Sequence, residues 1–492
     1  MNDASNTTGD TLSLLNRTDH QTAPAPRVRI VHIGLGAFHR AHQAWYTALA
    51  DPRGEWGIAA FTGRTRTAAD HLTAQDGLYT LVTRGPLGDE FDVVTSIAEA
   101  HDGADVEALS GLISRAETAL ITLTITEAGY HLTPGPEGLQ LDTADEVVAA
   151  DVAALRTHRT GGAFTLGDAG LTGDGVRSAR PRIVVGLAAR RAAGSGPLAV
   201  VSCDNLPGNG AAARAAVLGT ARLVDEDLAA WIAEQISFVD SSIDRITPRT
   251  AEEDRAAVAA ATGRTDQTPV VTEPFTSWVL SGRFPAGRPC WEDAGAVFVE
   301  DVEPFERRKL WMLNGAHSLM AYAGQLRGHS TVSEALGDSA VSDWVEELWD
   351  AAGAHLQDPA LGIPEYRAAL RARFENPRIA HHLAQIGADG SLKLAARAVP
   401  ILQAERRAGR PGTAALRAIA AWMDQICAQF ETGRELHDSA AERLRAVIAE
   451  ADDAEAVDDA QTSALLAVID PVLAEETEVV TAVQGLRGTF TD

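Results

Sequence analysis

The chain has 492 residues, of which 45% are hydrophobic and 22% charged, a composition typical of a globular protein with two domains. Its 42 basic and 68 acidic side chains give a formal net charge of −26, which disfavours nucleic acid and anionic membrane as partners. No apolar run approaches the roughly 20 residues of a membrane span, and the three widely spaced cysteines fit neither a disulfide framework nor a cysteine-rich zinc site.

The first segment, residues 1–27, is polar and ends in a proline-containing stretch, so we expect a disordered lead-in. It lacks the basic region followed by an apolar region that marks a secretory signal. A cytoplasmic location is therefore expected. Nothing in the sequence indicates an oligomeric state.

Beyond the lead-in, short apolar runs alternate with helical segments, which predicts a mostly parallel sheet covered on both faces. Strands are predicted at 27–36, 56–61, 119–125 and 197–203. From about residue 303 the amphipathic patterns predict helices at 305–325, 339–356, 364–375, 413–431 and 438–450. We expect an α/β fold with a Rossmann-type domain at 28–298, a mostly α-helical domain at 299–492, and the active site in the cleft between them.

A glycine turn follows the first predicted strand. Gly34 and Gly36 precede a helix, a context that suits a dinucleotide pyrophosphate bound by backbone N–H groups. The G-x-G-x-x-G pattern is incomplete because His39 occupies its third glycine position, so a structural turn or a methyltransferase loop is an equal alternative. No acidic residue for the ribose is evident after the second strand, where Arg64 and Arg66 leave the choice between NAD and NADP open.

Polar residues also follow later strands. Glu127 lies just past the third predicted strand, Asn205 just past the fourth, and Asp244 in SSIDRITP. Because ligands bind at the carboxyl ends of strands in open α/β sheets, these residues are candidates for one crevice. Turn chemistry is the simpler interpretation of CDNLPGNG, and an ion pair with Arg245 is the alternative for Asp244.

The strongest local signal is ERRKLWMLNGAHSLMAYAG at 306–324. On a helix, Asn314 and His317 share one face, with Lys309 on nearly the same side. Lysine, asparagine and histidine suit alcohol oxidation, because a lysine of lowered pKa takes the hydroxyl proton while the other two hold the developing alkoxide. Eight residues of helix rise about 12 Å, so Lys309 has to lean towards His317 or precede the helix. Taken alone, a polar helix face is the simpler interpretation.

Seven ordered segments across about residues 28–410 resemble the polyol-specific long-chain dehydrogenases, the mannitol dehydrogenase family. They are GLGAFHRAHQAWYT, TLTITEAGY, SCDNLPGNG, VDSSIDRITP, EPFTSWVL with GRPCWE, KLWMLNGAHSLMAY and ENPRIAHHLAQIGADGSLK. The resemblance implies a Rossmann-type domain, a helical C-terminal domain, NAD as the cofactor with NADP not excluded, and chemistry without a metal. The joint presence of Lys309, Asn314, His317 and Asn205 disfavours a nucleotide-binding sensor that has lost catalysis, and the helical domain with its lysine has no role in a methyltransferase.

The resemblance also implies residue roles. As the general acid/base and its partners at the substrate oxygen it assigns Lys309, Asn314, His317 and Asn205. As substrate-binding residues it suggests Asp244, Lys393, Arg397 and Gln385. As cofactor-binding residues it suggests Gly34, Gly36, Phe38, His39, Arg40 and Glu127.

One position bears on the substrate. Mannitol dehydrogenases of the family carry an arginine eight residues before the lysine of DGSxK, and Gln385 stands there in this chain. With Arg397 four residues beyond Lys393, the pattern is more similar to fructuronate reductases, although the family's K-L-P-Q-R is K-L-A-A-R here. A uronate needs a cation for its carboxylate, which either residue could supply. We expect a small sugar acid, with D-mannonate and D-fructuronate interconverted; a polyol such as mannitol or arabinitol is the alternative.

Overall fold

The computed structural model describes residues 12–18, 24–63, 65–136, 138–167, 170–172, 175–176, 178–452 and 457–491. The chain forms two compact units, Met1–Val302 and Glu303–Asp492. The boundary predicted from the sequence lies slightly earlier, between residues 298 and 299. Within the described ranges, no helix combines the length and the apolar composition needed to cross a membrane.

The N-terminal unit is built around an eight-stranded sheet. The strands of the unit are β1 Val28–Ile33, β2 Gly57–Phe61, β3 Tyr79–Gly85, β4 Gly88–Val94, β5 Ile97–His101, β6 Leu120–Leu123, β7 Leu132–Gly135, β8 Gly138–Leu141, β9 Arg159–Thr160, β10 Ala163–Phe164, β11 Leu198–Ser202, β12 Ile236–Asp244, β13 Val270–Thr272, β14 Ser277–Ser281 and β15 Val297–Phe298. The order in the main sheet is β15-β14-β12-β11-β6-β1-β2-β5. All four predicted strands are confirmed.

The order of the parallel strands determines where a ligand binds. From β5 through β2, β1, β6 and β11 to β12 every pairing is parallel. Numbered along the chain, these strands run 3-2-1-4-5-6, the order of doubly wound dinucleotide-binding sheets. The strand order reverses between β1 and β6. Ligands of such sheets bind at the carboxyl ends of the strands at this point.

Both faces of the sheet are buried, which is why its central strands are apolar throughout. Val31 of β1 is in register with Ala59 of β2 and Ile121 of β6, and these residues pack on one face. Ile30 and Ile58 alternate to the opposite face. The helices of this unit are α1 Ala37–His39, a π-helical turn Arg40–Ala44, α2 Trp45–Ala50, α3 Thr67–Ala74, α4 Val106–Ser114, α5 Glu146–Thr157, α6 Ala179–Ala193, α7 Asn209–Val224, α8 Glu226–Gln235 and α9 Glu252–Thr262.

The expected disordered lead-in is wrong for residues 12–18, and residues 1–11 and 19–23 lie outside the described residues. Leu14 forms a β-bridge with Thr265, and Leu15 is buried. The Arg17 guanidinium donates hydrogen bonds to the carbonyl oxygens of Thr95 and Ile97. Burial of one leucine and these polar contacts order a segment whose composition alone predicts disorder.

The C-terminal unit is helical in its described residues, which confirms the predicted fold class. Its helices are α10 Glu303–Arg308, a π-helical turn Lys309–Asn314, α11 Gly315–Leu326, α12 Val332–Gly337, α13 Ser339–Gly353, α14 Ile363–Phe374, α15 Leu383–Gly387, α16 Gly390–Arg397, α17 Val399–Arg407, α18 Thr413–Glu431, α19 Ala441–Asp452, α20 Val457–Ile469, α21 Pro471–Ala474 and α22 Thr477–Gln484. Helix α11 is buried among α12, α13, α15 and α18. The expected cleft between the units stays a prediction.

Candidate active site

A pocket of about 400 Å³ opens in the N-terminal unit at the carboxyl ends of β1, β6, β11 and β12. It therefore lies where the strand order reverses. Its walls are formed by Gly34, Gly36, Ala37, Phe38, His39, Thr124, Thr126, Glu127, Cys203, Asp204, Asn205 and Ile243. Five residues predicted to bind a cofactor and one predicted catalytic residue, Asn205, thus line one pocket.

The glycine turn is held between two strands. Gly34 has φ = +112°, and a Cβ atom there would lie 2.0 Å from the carbonyl oxygen of Thr124. Its N–H donates to Phe61 O over 2.9 Å, and its carbonyl accepts a 2.8 Å hydrogen bond from the Thr124 hydroxyl. Gly36 precedes α1 without a side-chain cap. This bare turn at a helix start fits the approach of a dinucleotide pyrophosphate, so the pocket suits NAD.

The opposite wall depends on a buried carboxylate. Asp204 is 6% exposed and accepts hydrogen bonds from the N–H groups of Ile125 and Thr126 and from the Tyr130 hydroxyl. Burial raises the pKa of Asp204, and these three donors act against that rise. Thr126 has φ = +67°, a strained value for a residue with a Cβ. Asp204 thereby stabilises the loop that carries Glu127 to the pocket, where Glu127 is exposed.

Two predicted cofactor residues have side chains that point into the protein. The His39 ring is fully buried and stacks on His32 with 3.3 Å between ring centroids. The buried Arg40 guanidinium donates to the carbonyl and hydroxyl oxygens of Thr268. These contacts join the start of the helix to β1 and to the segment that precedes β13. A direct cofactor contact by either side chain stays a prediction that this packing disfavours, whereas Phe38 lines the pocket and stacks on His42 at 5.2 Å.

Of the polar residues after β11 and β12, some have a structural role in the turn and others lie at the pocket. Asn209 is fully buried. Its amide nitrogen donates to Asp204 O and Ser241 O, and its amide oxygen accepts from Ser241 N, so it stabilises the turn after β11 against β12. Asn205 is exposed at the pocket. Asp244 is half-buried at the end of β12, and the Arg245 guanidinium donates to Glu273 O and Ala41 O.

In the C-terminal unit, Lys309 and Asn314 are the first and last residues of a π-helical turn. The N–H of Gly315 donates to the carbonyl oxygen of Leu310, an i→i+5 pattern, and also to that of Met312. Residues five apart diverge by about 140° on an α-helix, but a turn closed at i+5 brings them near one face. The turn therefore aligns Lys309 with Asn314 and His317. Among the described residues, π-helical turns occur here and at Arg40–Ala44.

His317 is buried beside aromatic rings and basic side chains. It is 6% exposed, and its ring centroid lies 4.9 Å from Phe374 and 4.8 Å from His381. Burial lowers the pKa of His317 well below its ordinary value, so the imidazole is neutral near pH 7. Its Nε2 is buried and has no hydrogen-bond partner in the described residues, which leaves a polar atom available to a ligand.

The two cations predicted to bind the substrate, Lys393 and Arg397, lie on α16, which packs against α11. Arg397 Nη1 donates to the Ser318 hydroxyl at 3.0 Å and to Asn314 O at 3.4 Å. Lys393 Nζ donates to Ile386 O at 3.1 Å. Burial lowers the pKa of both side chains, and in Lys393 the charge of Arg397 adds to that effect. Gln385 is exposed on α15.

The lysine count is a signal that motif reading missed. Of the 42 basic residues, two are lysines, Lys309 and Lys393, and all others are arginines. Arginine does not release its proton in proteins, whereas a buried lysine does. A chain that uses arginine at its other basic positions thus has lysine only at two candidate-site positions.

No group of three histidine, cysteine, aspartate or glutamate side chains in the described ranges is arranged to hold a metal ion.

Comparison with known proteins agrees with this geometry. Residues 28–293 match the family model of the mannitol dehydrogenase Rossmann domain, and residues 301–484 that of the mannitol dehydrogenase C-terminal domain. The chain is 36% identical over 408 residues to D-mannonate oxidoreductase of Escherichia coli strain K12, covering 80% of this chain and 79% of that protein. It is 34% identical over 430 residues to mannitol 2-dehydrogenase of Phaeosphaeria nodorum, covering 85% and 72%.

A solved structure extends the agreement. The ternary complex of Pseudomonas fluorescens mannitol 2-dehydrogenase with NAD and D-mannitol matches with a TM-score of 0.74 and 31% identity, covering 96% of each chain. This chain belongs to the mannitol dehydrogenase family. The predicted class, an NAD-dependent oxidoreductase acting on secondary alcohols, is confirmed at the level of the family.

Proposed function

We propose that this protein interconverts D-mannonate and D-fructuronate with NAD(H). The N-terminal pocket would hold the dinucleotide at Gly34, Gly36 and Phe38, because the turn lacks side chains where the backbone must approach a phosphate. When bound, the nicotinamide accepts a hydride from the alcohol carbon or returns it to the ketone. The side chains supply the remaining chemistry.

Lys309 acts as the general base in oxidation and the general acid in reduction. It takes the proton of the substrate hydroxyl at Nζ and returns it in the reverse direction. Asn314 and Asn205 donate amide N–H groups to the oxygen as charge develops there. His317 is neutral because of its burial, and a hydrogen bond from its unpartnered Nε2 satisfies both the imidazole and the substrate oxygen.

The observation that carries the choice of a sugar acid is the pair of cations beside these residues. The guanidinium of Arg397 has Asn314 O and Ser318 Oγ as its hydrogen-bond partners, and neither is a carboxylate. The ammonium of Lys393 bonds a carbonyl oxygen. In a chain of net charge −26, two half-buried cations that form no ion pair within the described residues offer a place for a substrate carboxylate.

The test compares D-mannonate, D-mannitol and D-arabinitol at equal concentration with NAD and NADP, followed by NADH absorbance. We expect a clear preference for mannonate. Arg397→Met should lower kcat/KM for mannonate by about 10- to 100-fold more than for mannitol, the value of a charge-assisted hydrogen bond to the carboxylate. Arg407→Met, which removes an exposed charge from α17, is the matched control.

Mannitol oxidation is the second candidate function, because mannitol 2-dehydrogenases match this chain at similar identity. A preference for mannitol over mannonate in the same panel would refute the sugar-acid proposal. An Arg397→Met variant that loses activity on both substrates equally would assign Arg397 to the fold or to catalysis rather than to carboxylate binding.

A further inference from the structure

The Lys309–Asn314 π turn receives hydrogen bonds from side chains of two other helices. The Trp349 indole N–H, from α13, donates to the Met312 carbonyl oxygen over 2.9 Å. The Arg397 guanidinium, from α16, donates to the Asn314 carbonyl oxygen over 3.4 Å. A π turn is less regular than an α-helix, and polar groups that insert into the carbonyl ladder are a recognised cause of such departures.

Trp349 also reaches the other end of the candidate catalytic group. It is 1% exposed and stacks on Phe374, with 6.0 Å between ring centroids and 24° between ring planes. Phe374 in turn packs on His317 at 4.9 Å. One buried indole thus contacts the backbone within the π turn and the ring that supports the imidazole.

The alignment of Lys309 depends on the π turn. A π turn holds one residue more than the corresponding α-helical turn. If the turn relaxed to an α-helix, Lys309 would therefore rotate relative to Asn314 and His317 by about 100°, the step of one residue. A displacement of the base by about 1 Å is enough to cost on the order of 10²-fold in rate. Whatever stabilises the π turn therefore acts on proton transfer.

We infer that Trp349 is a positioning residue for the reaction: its indole N–H holds Met312 O, maintains the π turn, and so keeps Lys309 on the face of Asn314 and His317. This inference rests on the proposed role of Lys309 as the base. A phenylalanine fills most of the same space but offers no donor, so the buried Met312 carbonyl loses the indole N–H and keeps the N–H of Gly315.

The experiment compares Trp349→Phe with Trp344→Phe. Trp344 lies on the same helix α13 and packs on Phe490 at 5.4 Å, so it controls for losing an indole from α13. With the best substrate of the panel, Trp349→Phe should lower kcat by about 10- to 100-fold and leave KM for NAD within twofold. The primary deuterium isotope effect on kcat, measured with substrate deuterated at the carbinol carbon, should rise. Trp344→Phe should change none of these values by more than about twofold.

The isotope effect separates positioning from a structural role. A variant that is merely less well folded has fewer active molecules, which lowers kcat but leaves the isotope effect unchanged, and that result would overturn the inference. Replacing Trp349 with 3-benzothienylalanine exchanges the N–H for sulfur at nearly constant size, so it tests the donor even if Trp349→Phe folds poorly. Wild-type turnover in that variant would also overturn it.

Hydrogen exchange tests the π turn independently of activity. Peptides spanning 309–317 should exchange faster in the Trp349 variants and at the wild-type rate in Trp344→Phe; unchanged exchange in the Trp349 variants would refute the inference. If Lys309→Ala keeps wild-type turnover, the proposed role of Lys309 fails, and the positioning inference fails with it even if exchange rises. If Lys309→Ala is inactive and the Trp349 variants are not, the inference alone fails.

Discussion

Replacing Gly34 by alanine tests whether the glycine turn is required by the fold or by the cofactor. Alanine at φ = +112° costs roughly 1–3 kcal/mol in backbone strain alone. Its Cβ would lie 2.0 Å from the carbonyl oxygen of Thr124, a backbone atom at the end of β6. The turn cannot move away freely, because Gly34 is bonded to Phe61 O on one side and to the Thr124 hydroxyl on the other. We expect the free energy of unfolding to fall by about 2–4 kcal/mol.

Gly36→Ala is the matched control, since a Cβ there meets its nearest atom, Gly34 O, at 3.6 Å and φ is −140°. It should lower stability by less than about 1 kcal/mol but weaken NAD binding, because the methyl group occupies the approach of the phosphate. Urea unfolding followed by tryptophan fluorescence gives the stability, and calorimetric titration with NAD gives the affinity. A Gly34→Ala protein as stable as the wild type would refute the steric argument.

Three further predictions follow from the described contacts. Lys309→Ala should reduce kcat by about 10² or more in the NADH absorbance assay, and unchanged turnover would remove Lys309 from the mechanism. Two guanidinium nitrogens of Arg66 donate to the Asp70 carboxylate on the surface after β2, at 3.0 Å. Asp70→Ala should release Arg66 for the 2′-phosphate on the ribose of NADP and raise the ratio of kcat/KM with NADP to that with NAD by roughly two- to fivefold. No change in this ratio would mean that Arg66 does not contact the ribose. Burial lowers the pKa of His32 from 6.5 to about 3. Between these two pH values the unfolded chain binds more protons than the folded protein. The free energy of unfolding should therefore fall as the pH drops below 6.5, by up to about 1.4 kcal/mol per pH unit. Urea titrations at several pH values should show a shallower fall in His32→Gln, and an equal slope would contradict this assignment.

Much of the fold follows from local patterns. The runs at 56–61 and 197–203 are apolar on both faces and short, and they became the parallel strands β2 and β11. The helix predicted at 413–431 has the same bounds in the structure. Residue type and strand position also predicted that Asn205 and Glu127 line the same pocket, because strand ends converge at one edge of such a sheet.

Other features depend on contacts distant in sequence. The π turn is invisible in KLWMLN, because the indole that bonds Met312 O comes from Trp349, 37 positions further on. His39 and Arg40 occur in a cofactor-loop motif, yet stacking on His32 and bonding to Thr268 direct both side chains inwards. Arg64, considered for the ribose, lies outside the described residues.

The two lysines have a consequence for the protein in a cell or a test tube. Acetylation, acylation by metabolic thioesters and amine-reactive labelling all target side-chain amino groups, and here the side-chain targets are Lys309 and Lys393. Any such modification of a side chain therefore falls on the candidate site. Mass spectrometry of the acylated protein, with and without substrate, thus reports directly on the accessibility of each position.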